Sequence, residues 1–121
     1  IDEKKVMHLP IFIENSKIPV WLSYLSPINI TAITLGPVVL SRGVMSEDTR
    51  RHEAIHWEQY KELLIVGFLI LYLFFWVKNL LSGFNGKGAY MNIPFEKEAY
   101  ENHSDRGYLV HRKRYSWWGY R

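Results

Sequence analysis

Cysteine is absent from this 121-residue chain. That excludes a disulfide framework and any thiolate metal site. Charge of one sign is scarce too: 15 Lys and Arg against 12 Asp and Glu leave a formal +3. So small an excess does not call for nucleic acid unless the cations cluster. There is no internal repeat and no clear boundary. A single domain over 1–121 with one modest core is therefore expected. Ile1–Lys17 is charged and lacks a long apolar run, so no signal peptide is expected there.

Apolar and aromatic residues are plentiful, at 48% and 16%, which argues for a packed core rather than disorder. Residues 1–31 read as irregular, punctuated by Pro10, Pro19 and Pro27. His8 reads as a solvated surface residue. Ile30–Leu40 is rich in Ile, Thr, Val and Leu and predicts one or two short strands, with a bulge or turn at Gly36-Pro37. Ser46 followed by Glu47 and Asp48 predicts a helix start.

That helix carries His52-Glu53-Ala54-Ile55-His56. Histidines at i and i+4 lie one turn apart on one face, so both imidazoles can converge on a tetrahedral metal. The glutamate between them is placed to take a proton from a metal-polarised water. Gln59, Leu63 and Val66 are expected to continue the histidine face. Glu58 and Glu62, with Lys61 nearby, read as an exposed face.

Leu63–Val77 carries no charge. As a helix these fifteen residues reach roughly 22 Å, short of a hydrocarbon core of about 30 Å. Extended to about 63–81, the apolar helix gains Lys78, which can snorkel. Trp57, Tyr60 and Trp76 sit where interfacial aromatics often do. A helix apolar all round needs neighbours on every side, and so small a chain has few to offer. The expectation is an exposed apolar surface and a membrane-associated protein, with a soluble subunit of a larger complex as the alternative.

Ser82–Gly88 reads as a flexible turn. Pro94 suits the first turn of another helix, with Asn92 as a cap. The tail, 106–121, mixes cations with Tyr108, Tyr115, Trp117, Trp118 and Tyr120. Its Arg112-Lys113-Arg114 cluster reads as a membrane-surface anchor or docking segment, ahead of a nucleic-acid contact.

The motif supplies two of the three protein ligands that a catalytic zinc site normally has. Glu96-Lys97-Glu98-Ala99 offers the third. Here the chain resembles the gluzincins, metallopeptidases whose third ligand is a glutamate on a helix after the motif helix. Glu-x-x-Ala matches several of their branches with Glu96 as ligand. A second register, Glu98-Ala99 with Asn102, fits the thermolysin-like pattern loosely. The two glutamates stand about 200° apart around a helix, so both cannot face one ion. Tyr100 stands where the family usually has Asp or Asn, which leaves Tyr100 or Asn102 to orient a ligand histidine. His103 and His111 are rival third ligands without a supporting motif.

The resemblance covers about 33–102. It implies a small zincin-like α+β domain: short edge strand, motif helix, long apolar helix, glutamate helix. Ile33–Leu40 would lie beside an extended substrate and pair with its backbone. The implied activity is zinc-dependent peptide-bond hydrolysis. His52, His56 and Glu96 would hold zinc, Glu53 would act as general base, and a peptide or protein would be the substrate. Tyr60, His103 and Arg106 are candidate oxyanion donors. The alternative is a structural or accessory subunit of a membrane or viral assembly that retains a zinc site; the presence of Glu53 speaks against it.

Overall fold

A computed structural model describes residues 10–25 and 32–121. His8, Pro27 and Ile30 lie outside the described residues. The fold is a small mixed α+β domain.

Three strands, β1 (Ile11–Ile13), β2 (Ala32–Leu35) and β3 (Val38–Ser41), form one sheet in the order β1-β3-β2. β1 runs parallel to β3 and β2 antiparallel to it. The expected turn at Gly36-Pro37 is a two-residue hairpin in the register Leu35↔Val38. Gly36 has φ +63°, which suits the first central position of a type II′ turn and costs glycine nothing. Within 33–40 only β2 is an edge strand, because β3 is central. The irregular reading of 1–31 needs correction: besides β1, the helix α1 spans Ile18–Leu25. Pro19 sits in its first turn, where a missing N–H costs nothing, and Ser16 Oγ accepts from the Ile18 N–H.

α2 (Glu47–Glu62) begins as expected, with Ser46 Oγ accepting from the Thr49 N–H at 3.1 Å. It stops at Leu63. Leu64 and Ile65 then adopt φ of 58° and 62°. Left-handed backbone is strained for these side chains, by roughly 1–3 kcal/mol each. The Ile65 N–H bonds the Tyr60 carbonyl at 2.9 Å and so satisfies the helix end. α3 (Val66–Leu81) leaves at 111° to α2. The histidine face therefore continues through Gln59 only; Leu63 ends the helix and Val66 is exposed on the next one.

The 111° reversal folds α3 back over the domain. Phe68 is buried and stacks on Tyr60 at 4.0 Å, within a core that includes Ile93, Phe95 and Trp117. Val66, Leu69, Ile70, Leu73, Phe74, Val77 and Leu81 remain exposed along α3. The expected apolar surface is present. No single described helix is long and apolar enough to cross a membrane; α2 and α3 meet that test only as a bent pair.

α4 (Gly86–Met91) occupies part of the expected flexible turn, capped by Asn85 Oδ1 on the Gly88 N–H. α5 (Pro94–Asn102) begins at Pro94. Asn92 does not cap it: its amide bonds the Gly88 carbonyl. Ala99 packs against Ala54 and Ile55, which lets α5 approach α2 closely. The tail folds back as α6 (Tyr108–His111) and a 3₁₀ turn at Ser116–Tyr120, with Trp117 against Phe95 at 4.8 Å.

Glu62 and Arg112 also depart from the expected exposed face and docking cluster. Arg112 forks onto both Glu62 and Glu98, and the three side chains are 4%, 8% and 0% exposed. Glu62 is thus no solvated face, and Arg112 is not available to a phosphate. Lys113 and Arg114 remain exposed.

Candidate metal centre

A cleft of about 810 Å³ opens between β2 on one side and α3 on the other. His52, Glu53 and His56 from α2 and Glu96 from α5 line it. His52, Glu53 and His56 are all buried and form a cluster able to hold a metal ion. Two carboxylates compete for the place beside the imidazoles. Glu96 Oε1 lies 3.3 Å from His52 Nε2 and 3.1 Å from His56 Nε2. Glu53 Oε2 stands farther off, 3.8 Å from His52 Nε2, while its Oε1 accepts from Thr34 Oγ1 at 2.8 Å. Glu96 is thus the carboxylate in contact with both rings, and Glu53 is tethered beside them by the edge strand.

Each ring also has a partner on its far side. His56 Nδ1 lies 2.8 Å from Gln59 Oε1. His52 Nδ1 lies 3.0 Å from His103 Nδ1, and the Tyr100 ring packs edge-on against His52 at 4.5 Å. Tyr72 Oη donates to Glu96 Oε2 at 2.7 Å, leaving Oε1 toward the histidines.

Electrostatics follow from this packing. Burial works against charge on His56, but the adjacent Glu96 carboxylate outweighs it and raises the pKa to about 9. Burial opposes charge on Glu96 too, yet His56 and His52 hold its carboxyl far below the usual carboxylate range. Burial and the neighbouring His52 push the His103 pKa down. Burial lifts the Tyr60 phenol to about 12.

The remaining sequence candidates fall elsewhere. Glu98, the rival register, is fully buried but faces Gln59, Tyr108 and Arg112 instead of the histidines. Asn102 bonds its own helix at the Glu98 carbonyl and Tyr120 Oη, away from the rings. His111 is exposed. Of the three oxyanion candidates, Tyr60 donates its hydroxyl to the Thr34 carbonyl, and Arg106 is 86% exposed beside Glu47. His103 remains on the cleft wall.

Thr34 and Tyr72 were not anticipated. Tyr72 had a signal, being the one hydroxyl in the apolar run Leu63–Val77. Thr34 had none, since its role depends on where the hairpin lands. Compared with known proteins, the chain matches no family model, no curated protein and no solved structure.

Proposed function

We propose that this chain is a zinc-dependent peptide-bond hydrolase on a zincin-like domain. One observation carries the reading: two imidazole Nε2 atoms and one carboxylate oxygen converge at 3.1 and 3.3 Å. Tetrahedral zinc, with bonds of about 2.0–2.1 Å to such donors, sets them about 3.3 Å apart. The spacing of the carboxylate oxygen from each imidazole therefore suits zinc, and two imidazoles with one carboxylate are a chemistry zinc favours. His52, His56 and Glu96, all lining the cleft, would be the ligands.

Zinc bound there would supply the polarisation that lowers a water's pKa toward neutrality. The chain's own groups do the rest. Glu53 Oε2 accepts the water proton and returns it to the leaving amine nitrogen. Thr34 Oγ1 holds the other oxygen and fixes the carboxylate's orientation. Thr34 belongs to β2, whose outer edge flanks the cleft, so an extended peptide can lie along that strand and pair with it. With a metal on His52 Nε2, the His52 proton would sit on Nδ1, 3.0 Å from His103 Nδ1, which would leave the His103 proton on Nε2 as a donor for the developing oxyanion.

Metal analysis tests the reading. The purified protein is expected to hold about one zinc per chain. The double variant His52→Ala, His56→Ala is expected to hold none. Zinc retained stoichiometrically by that variant overturns the ligand assignment.

A further inference from the structure

Gln59 is fully buried, three residues beyond His56, and makes three hydrogen bonds. Its Nε2 lies 3.1 Å from the Phe95 carbonyl and 3.0 Å from Glu98 Oε1. A backbone carbonyl can only accept, so the NH₂ end must face α5. The amide oxygen must then face His56 Nδ1, at 2.8 Å. An amide oxygen cannot donate, so the proton in that contact belongs to Nδ1. A neutral His56 then has its lone pair on Nε2, the atom beside Glu96.

We propose that Gln59 is a positioning residue: its locked amide reserves the Nδ1 proton of His56 and so presents Nε2 to the metal. The inference rests on the metal reading above, but the lock itself exists without metal. Its anchorage is built from three elements. Glu98, which looked from sequence like a rival ligand, receives Arg112 Nε at 2.6 Å and Arg112 Nη2 at 3.1 Å. Arg112 is held in turn by Glu62. The tail therefore reaches the site through Arg112, Glu98 and Gln59, although none of them contacts the proposed ion. Partners at this remove commonly set ligand orientation and metal affinity.

The test uses two readouts on the full chain. Imidazole ¹⁵N spectra of the metal-free protein, recorded at a pH where His56 is neutral, report which nitrogen carries the proton. Zinc affinity is measured by competition with a chromophoric chelator. In the wild type, His56 is expected to be the Nδ1–H form alone. Gln59→Met removes the acceptor and both donors at similar volume; it is expected to mix the two forms and to weaken zinc binding by about 10–100-fold. Where Gln59→Met fails to fold, Gln59→Asn is read the same way, being too short to span His56 and Phe95 together. A wild-type ring protonated on Nε2 overturns the proposal, and so does a folded variant with unchanged ¹⁵N spectrum and affinity. A merely structural Gln59 would lower stability yet leave the ring's proton in place. If the wild type binds no zinc, the metal reading fails while the ¹⁵N spectrum still decides the lock.

Discussion

Raising the pH is expected to strengthen zinc binding by about tenfold per unit between about pH 7 and 8. The reason lies at His56 Nε2, 3.1 Å from Glu96 Oε1. In the metal-free protein that nitrogen carries a proton up to about pH 9, because Glu96 overcomes the burial penalty. An ion that takes Nε2 must displace this proton. Two units below the pKa, the competition costs about 3 kcal/mol, or about 100-fold in affinity. Glu96 adds nothing to the slope here, since its carboxyl is held far below the usual range and has no proton to lose.

The same shifts set the stability of the metal-free chain. The folded pKa of His56 is raised from 6.5, so its contribution is full below about 6.5 and lost as pH rises through about 9. Glu96 is depressed from 4.5, so its contribution is full above that value and lost as pH falls through the folded pKa. These two groups together favour the window from about 4.5 to 6.5. Zinc replaces the proton on Nε2, so saturating zinc should remove the alkaline loss. The assay pairs chelator competition with thermal unfolding across the range. A zinc affinity that stays flat with pH, or a metal-free chain that gains stability toward pH 9, refutes the reasoning.

Two further outcomes follow from packing. Arg112→Met leaves Glu62 and Glu98 buried without their cation and is expected to cost about 3–5 kcal/mol by chemical denaturation; a loss below about 1 kcal/mol is what an exposed pair would give and contradicts the burial. Ile70→Lys with Phe74→Lys alters the apolar stripe at positions 63% and 56% exposed and outside the cleft. The wild type is expected to self-associate or to need detergent, and the double variant to be a monodisperse monomer with unchanged zinc binding. A wild type that is already monodisperse in plain buffer removes the need for any cover over this face.

What sequence could tell about this fold was local. Ser46 with Glu47 and Asp48 marks a helix start through side-chain capping, which needs no tertiary context. Gly36-Pro37 marks its hairpin for the same reason, and the two-residue spacing places Glu96 and Glu98 on different sides of α5. The missed features depend on long-range packing or on an unmarked backbone turn. Leu64 and Ile65 reverse the chain without a glycine or proline, so the apolar run read as starting at Leu63 without a reversal. That turn is what carries Tyr72 back to Glu96. Glu62 resembled a surface residue because Arg112, which buries it, lies 50 positions away. α1 was hidden because its proline looked like a breaker, whereas in a first turn it is compatible with the helix.

The proposed role of Glu53 as the base of a zinc-dependent hydrolysis is decided by one comparison. Wild type and Glu53→Gln are loaded with zinc, their metal content is measured, and both are assayed against a peptide library. The substitution keeps the side chain's size, removes its charge and its capacity to take a proton, and leaves an amide oxygen that can still accept from Thr34 Oγ1. About one zinc per chain is expected in both proteins, with cleavage by the wild type and a loss of at least about 100-fold in the variant. Equal cleavage by the two zinc-loaded proteins, or no cleavage by a fully loaded wild type, contradicts that role.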